Sequence, residues 1–559
     1  LNKKWWKEAV CYQIYPKSFK DSNGDGIGDL RGVINKLDYL TELGIDVIWI
    51  CPIYQSPNAD NGYDISDYQA IMDEFGTMKD FDELLEKVHK RGMKLIMDLV
   101  VNHTSDEHPW FLESKTSVDS PKRDWYIWND GSPSGPPNNW ESIFSGSAWE
   151  YDVESGQYYL HVFATKQPDL NWENKDMREA VYNMVNWWLD KGIDGFRIDA
   201  ISHIKKKAGF PDAAGLDDNG IKGFKMYTDQ DGIHDFLQEL KMKTYSNYDI
   251  MTVGEASGVR AEDADPWVEE QKGAFDMVFQ FEHLSLWEKE TEVDLDLVSL
   301  KRILSKWQTV LHGKGWNALF IENHDKPRIV SVLGNDQEYW QESAKMLGTM
   351  YFFMQGTPFI YQGQEIGMTN VAFPSINDYD DISMKNYYQL ETAKGRDYLE
   401  IMKVIWKNGR DNSRTPMQWD DSLNGGFTLG IPWMKVNPNY QEINVKHQRQ
   451  DSNSILSFYK KMIRLRKQYD CLVYGEYKLY LEDDPNVYMY SRFTDEQTAL
   501  VICNFNKDSE AITLPVFNGL TGELILSNYN NHSEETDEQG NIYLSPYESR
   551  VYLFKQIAE

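Results

Sequence analysis

From Ala9 onward, short apolar runs alternate with stretches in which apolar residues recur every three or four positions, the pattern of strands separated by amphipathic helices. Residues 10–15 read as a first strand, and Leu30, Val33, Ile34, Leu37 and Leu40 follow at helical spacing. Residues 47–51 and 93–101 read as the second and third strands, with Phe81, Leu84, Leu85 and Val88 marking a helix between them. The rhythm then breaks. Residues 104–174 are rich in Trp, Asn, Ser, Gly and Pro, too long for a simple connection, and predict an inserted subdomain. It resumes with a helix from Met177 to Leu189 and strands ending at Asp199 and Glu255, then strands at 277–281, 316–322 and 358–361. Eight such units predict an α/β fold, a (β/α)8 TIM barrel. Beyond about Tyr480 the helical periods give way to alternating strands such as 487–493, 499–505 and 550–554, which predict an antiparallel carboxyl-terminal β domain. The expected division is therefore a barrel of residues 1–103 and 175–480, an inserted subdomain of 104–174 after strand 3, and a carboxyl-terminal domain of 481–559.

Composition narrows the function classes. A formal charge of −31 would repel nucleic acid and anionic membranes while leaving a neutral substrate unaffected. The 19 Trp and 33 Tyr suit either a large core or a site that stacks on sugar rings, and core is the default for most of them. Cys11, Cys51, Cys471 and Cys503 lack metal-ligand spacing and read as reduced and buried. The basic amino terminus leads into no apolar signal core, and no apolar run approaches the ~18 residues of a membrane span. A cytoplasmic protein is expected, a monomer or weak homo-oligomer.

The chemistry lies at strand ends. Residues 195–200, Gly-Phe-Arg-Ile-Asp-Ala, end a strand in a carboxylate with Arg197 two positions earlier on the same face, an arrangement that keeps an acid ionised beside a cation. Alone, this pair reads equally well as a solubilising one. Two further apolar runs also end in acids, at Glu255 and at residues 322–325, Glu-Asn-His-Asp. Three acids at the ends of different barrel strands converge on the face where TIM barrels hold their active sites, and His103, just past the third strand, falls there too.

These segments closely resemble the α-amylase family of glycoside hydrolases. The match rests on residues 98–103 (Asp-Leu-Val-Val-Asn-His), 195–200, Gly254-Glu255 and Asn323-His324-Asp325, in the family's order over nearly the whole chain. Residues 167–171 (Gln-Pro-Asp-Leu-Asn) and 410–419 are similar to the oligo-1,6-glucosidase and α-glucosidase subgroup. The resemblance implies Asp199 as nucleophile, Glu255 as general acid/base and Asp325 as transition-state stabiliser. It further implies that His103 and His324 bind hydroxyls of one glucose unit, that Tyr63 stacks on its ring, and that Asp60 and Arg410, with Arg414 as the substitute, close the pocket beyond the non-reducing end. Arg197 is expected to keep Asp199 charged, and Glu255, in a partly dry site crowded with acids, to hold the proton.

Residues 21–29 place oxygen ligands at alternate positions with glycines for a tight turn but lack the distal Glu of an EF-hand, so the residues alone also fit a solvated acidic turn. The subgroup resemblance implies a structural Ca²⁺ held by Asp21, Asn23, Asp25, the Ile27 carbonyl and Asp29, and no catalytic metal. Relatives that serve as ectodomains of transporter subunits carry a membrane span, which this sequence lacks. Sucrose isomerases carry extra arginines after the His-Asp pair, and Lys326-Pro327-Arg328 shows no such cluster. Lys205, Lys206 and Lys207 read as a solvated face rather than a phosphate pocket. Ala200 follows the nucleophile where α-1,6-specific members tend to carry Val and α-1,4-specific members Ala. The expected enzyme is thus an exo-acting α-1,4-glucosidase, with α-1,6 cleavage, transglucosylation or sucrose isomerisation as alternatives.

Overall fold

A computed structural model describes residues 3–216, 220–290, 294–515, 520–530 and 541–556. Eight short parallel strands form its central sheet: β1 (Cys11–Ile14), β2 (Val47–Ile50), β3 (Lys94–Val100), β4 (Gly195–Asp199), β5 (Met251–Glu255), β6 (Met277–Phe279), β7 (Ala318–Leu319) and β8 (Thr357–Tyr361). Their order is β6-β5-β4-β3-β2-β1-β8-β7, and a parallel bridge between Val278 and Asn317 joins the two edges into a nearly closed TIM barrel.

Period-two alternation divides the strand side chains between two cores. Cys11, Val47, Trp49, Ile96, Val253, Met277 and Phe359 fill one, while Tyr12, Ile48, Leu95 and Ile198 pack with the surrounding helices in the other. The helix Lys175–Asp190 shows how that outer layer is held. Asn174 caps its first turn by accepting the Met177 N–H, and Met177, Val181, Val185 and Trp188 are buried along one face. Each such large side chain contributes ~1.5–3 kcal/mol on burial.

The seventh strand departs from expectation. Of residues 316–322 only Ala318 and Leu319 pair with β8, and Asn317 makes a single bridge to Val278 of β6; Trp316 and Asn317 turn their side chains to Thr357 Oγ1 (2.9 Å) and the Gln355 carbonyl (3.2 Å), and the backbone beyond Leu319 leaves the ladder for the loop carrying residues 323–325. The insertion after β3 holds a three-stranded antiparallel sheet of Trp128–Asn129, Gln157–Leu160 and Trp149–Asp152. Its apolar cluster is shared: Trp140, Trp149 and Leu160 pack with Phe224 and Tyr227 from the loop after β4.

A second excursion, unmarked in the sequence reading, follows β8. Its helices Ile382–Ala393 and Tyr398–Asn408 enclose a separate apolar cluster and deliver Asp381, Arg410 and Arg414 to the barrel mouth. The carboxyl-terminal sheet runs Glu476–Tyr480, Val487–Phe493, Gln497–Asn504, Ser549–Gln556 and Leu520–Ser527, all antiparallel. It starts at Glu476 rather than at 481, because Gly475 ends the preceding helix and Tyr477 is already buried against the sheet. Arg492, fully buried, docks the sheet on the barrel by donating to the carbonyls of Phe353, Val473 and Gly475. All four cysteines are free and buried. Among the described residues, no helix is long and apolar enough to cross a membrane.

Candidate active site

Three carboxylates meet at one guanidinium. Arg197, 1 % exposed, places Nη1 2.6 Å from Asp199 Oδ1 and 2.9 Å from Asp98 Oδ1, and Nη2 3.0 Å from Glu255 Oε2. Strand register produces this convergence. Asp98 of β3 lies opposite Arg197 of β4, and Gly254 of β5 lies opposite Ile198, so the residues that flank the pair point to one side. The Trp49 ring, 5.1 Å from the guanidinium centre, backs it, and Asp98 Oδ2 accepts from Trp49 Nε1 (3.1 Å) and the Tyr63 hydroxyl (2.8 Å).

Electrostatics here differ from the sequence expectation, which paired Arg197 with Asp199 alone. Burial pushes the Asp199 carboxyl well above the usual carboxylate range; Arg197 opposes that rise, while Glu255 and Asp98 reinforce it. One cation among three acids favours retention of a proton within the cluster, and negative charge is best compensated on Asp199, 2.6 Å from Arg197. Glu255 Oε2 is held by Arg197 and by the Ala200 N–H at 2.8 Å. Ala200 reaches it from a left-handed backbone conformation, φ 46°.

Across the mouth, Asp325 Oδ1 lies 2.8 Å from Arg414 Nη2 and 3.4 Å from Arg410 Nη1, and His324 Nε2 lies 3.1 Å from Asp325 Oδ2. Burial acts to raise the Asp325 carboxyl, but His324, Arg410 and Arg414 outweigh it and hold the group well below the usual range. Arg410 also meets Asp60 Oδ1 (3.1 Å) and Asp381 Oδ1 (2.8 Å). Arg410 and Arg414 therefore both reach the site, Arg410 toward Asp60 and Arg414 toward Asp325.

His103 and Tyr63 complete the near wall. His103 Nε2 lies 2.9 Å from the Tyr63 carbonyl and Nδ1 lies 3.1 Å from Asn102 Nδ2; burial lowers its pKa and keeps the imidazole neutral. The Tyr63 ring stacks on His324 at 5.0 Å and 6°. Asp60, Tyr63, His103, Asp199, Ala200, Glu255, Asp325 and Arg410 line one cavity of about 860 Å³ including its mouth, walled by Phe144, Phe163, Phe224 and Phe281. The sequence reading missed these phenylalanines, which come from three separate connections, two from the insertion after β3 and one each from the loops after β4 and β6, with no shared spacing. It also misplaced Lys206. Far from being solvated, that residue is 8 % exposed, its ammonium 2.6 Å from Asp169 Oδ2 and 3.0 Å from Asn102 Oδ1, because the short turn after β4 directs it inward, where it also donates to the His203 carbonyl. Lys205 and Lys207 stay nearer solvent.

The residues named for Ca²⁺ sit apart from this cavity, in the loop after β1. Asp21 accepts the N–H groups of Asn23, Gly24 and Gly26 together with the Thr428 hydroxyl, and Asp29 accepts from Ser22 and the Gly32 N–H. Asn23 Oδ1 and Asp25 Oδ1 each accept one amide, from Asp25 and Ile27, and keep a second lone pair. The fit to a cation is partial, since both Asp21 oxygens already have two donors. Among the described residues, no group of three or more His, Cys, Asp or Glu side chains is arranged to hold a metal ion.

The α-amylase catalytic domain matches residues 13–475, and the maltogenic amylase C-terminal domain matches residues 477–551. The chain belongs to the α-amylase family of glycoside hydrolases. It is 57 % identical to the probable oligo-1,6-glucosidase 3 of Bacillus subtilis (strain 168), over 99 % of this chain and 100 % of that one. Two solved structures superpose over 99 % of this chain and 100 % of theirs: the trehalose-6-phosphate hydrolase of Bacillus licheniformis (TM-score 0.92, 49 % identity) and the isomaltulose synthase of Klebsiella sp. LX3 (TM-score 0.95, 44 % identity).

Proposed function

We propose that the protein is a retaining, exo-acting α-glucosidase that releases glucose from the non-reducing end of short α-1,4-linked oligosaccharides such as maltose, in the cytoplasm. The contact of Arg410 with Asp60, beside Asp325, is the observation that supports this most, because the pair forms a charged wall of the same cavity that Asp199 and Glu255 line, and such a wall would stop a chain from running through it. In this reading Asp199 attacks the anomeric carbon and forms a β-linked glucosyl-enzyme. Glu255 gives its proton to the departing oxygen and then takes one from water. Its Oε2 is occupied by Arg197 and Ala200, which leaves Oε1 to carry that proton. Asp325, charged and fixed by two arginines, binds hydroxyls of the distorted ring.

Ala200 supports the α-1,4 preference. It lines the cavity next to the nucleophile, where two added methyl groups would crowd the scissile bond, a change worth ~1–3 kcal/mol of discrimination. A β-branched residue at φ 46° also strains the amide that holds Glu255. Ala200→Val is expected to lower the maltose to isomaltose ratio of kcat/KM by about tenfold. The second reading, α-1,6 cleavage, is favoured by the name of the B. subtilis relative. Incubation of the protein with maltose, isomaltose, sucrose, trehalose 6-phosphate and starch, followed by product separation, decides among them. Isomaltose as the best substrate would reverse the linkage assignment, and rearranged sucrose would replace hydrolysis with isomerisation.

A structural Ca²⁺ in the 21–29 loop is part of the same proposal, held by Asn23, Asp25 and the Ile27 carbonyl, with Asp21 and Asp29 exchanging hydrogen bonds for it. Chelation is then expected to lower Tm without abolishing activity at low temperature, because the loop supplies no group to the cavity. The loss corresponds to ~2.7 kcal/mol if the free ion stands at ~100 times its Kd. Melting curves indifferent to both chelator and added calcium would dismiss the ion.

A further inference from the structure

The wall that carries Asp60 is a strained turn. Between Ser56 and Asp64, three residues have positive φ: Asn58 (62°), Asn61 (48°) and Gly62 (97°). Two of these are not glycine, so the turn keeps its shape only if its surroundings fasten it. Asp64 is the fastening. It is 0 % exposed, its Oδ2 accepts the Ala59 N–H at 2.7 Å and its Oδ1 accepts the Asp60 N–H at 2.9 Å. Among the described residues it forms no ion pair, and burial pushes its carboxyl up to about 7 against the pull of those two amides and of the Ser56 hydroxyl. Burying a carboxylate without a cation is costly, and an apolar or amide side chain would avoid the cost. In its ionised form, which the two N–H groups favour against burial, the carboxylate offers an acceptor to each of them with no donor of its own, whereas Asn would turn an NH2 toward one of them.

The turn delivers Asp60 to two partners. Asp60 Oδ1 lies 3.1 Å from Arg410 Nη2, and Oδ2 accepts from Gln167 Nε2 at 3.1 Å. The Tyr63 N–H closes back on the Asp60 carbonyl at 3.1 Å, so the ring that faces the cavity and the carboxylate that bars its end belong to one knot. We propose that Asp64 is a positioning residue of the glucose pocket: it holds the amides of Ala59 and Asp60, aims the Asp60 carboxylate at Arg410, and so sets how tightly the terminal sugar is gripped. The proposal rests on the exo-acting reading above.

Its test is a double-mutant cycle on maltose hydrolysis with unmodified protein, Asp64→Asn, Asp60→Ala and the double variant, each checked for folding by its melting curve. Asp64→Asn is expected to raise KM about tenfold with kcat changed less than about threefold, and to change KM less than about twofold once Asp60 is Ala, the non-additivity of residues that act through one another. Equal KM changes in both backgrounds, or no KM change at all, would overturn the proposal, since a merely structural Asp64 acts alike whether or not Asp60 is present. Should Asp64→Asn fail to fold, Asp64→Ser, which keeps one acceptor, takes its place in the cycle. The exo-acting reading is checked separately on unmodified protein with a maltooligosaccharide labelled at its reducing end. Internal fragments would defeat that reading, whereas the cycle reports the coupling of Asp64 to Asp60 whichever end is cut.

Discussion

Asp199→Ala should hydrolyse maltose about 10⁴-fold more slowly or worse, the scale of loss when a residue of covalent catalysis is deleted, and should convert an activated α-glucoside and azide into β-glucosyl azide. The size of the loss follows from what the side chain does: it is both the attacking atom and the charge that balances the oxocarbenium-like transition state. The rescue follows from the surroundings. Removing Asp199 leaves a small space beside Arg197, whose Nη1 has lost its nearest partner at 2.6 Å, and an anion the size of azide fits that charge and attacks from the same face. One inversion in place of two gives the β product. The fold should survive, because the substitution takes one of three carboxylates from around a single cation and relieves their mutual repulsion. Proton NMR of the anomeric centre distinguishes the products. An α-azide would contradict the assignment of Asp199.

What the sequence made legible, and what it hid, divides along the range of the interactions. The barrel strands could be read because each is a local apolar run, and Asp199 and Glu255 because each ends such a run. β7 resisted, since whether residues 316–322 pair depends on where Trp316 and Asn317 find partners some 40 positions away. The excursion after β8 looked like more barrel because its helices Ile382–Ala393 and Tyr398–Asn408 have ordinary periodicity, and nothing local reports that they pack on each other. Arg410 and Arg414 were found only through resemblance, as no property of the 410–419 segment by itself points to Asp60 and Asp325. Lys206 shows the opposite failure. A run of three lysines has the composition of a solvated face, and only the turn after β4 reveals that one of them is turned inward to Asp169. Charge sharing was hidden for the same reason: spacing shows that Arg197 and Asp199 lie on one face, but Asp98 and Glu255 join them only once three strands are in register.

That shared charge also shapes what removal of the acid should look like. Glu255→Gln is expected to lower kcat/KM on maltose by about 10²–10⁴-fold, the contribution of a positioned general acid. Gln keeps the shape and can still accept the Ala200 N–H and an Arg197 N–H through its carbonyl, so the geometry around Asp199 is retained and the loss reports the missing proton. Aryl α-glucosides with good leaving groups need no such proton, and their loss should shrink as the leaving phenol becomes more acidic. A plot of log kcat/KM against leaving-group pKa should therefore be steeper for the variant than for the unmodified protein. In both proteins the activity should fall on the acid side at a pH above the ordinary carboxylate range, because burial raises the Asp199 carboxyl and the nucleophile works only when ionised; the fall should come at lower pH in the variant, where the Glu255 charge no longer reinforces the rise. Survival of that acid limb in the variant separates the two roles: the limb belongs to Asp199, and the dependence on leaving group to Glu255. A loss that is uniform across leaving groups would remove Glu255 from the role of acid.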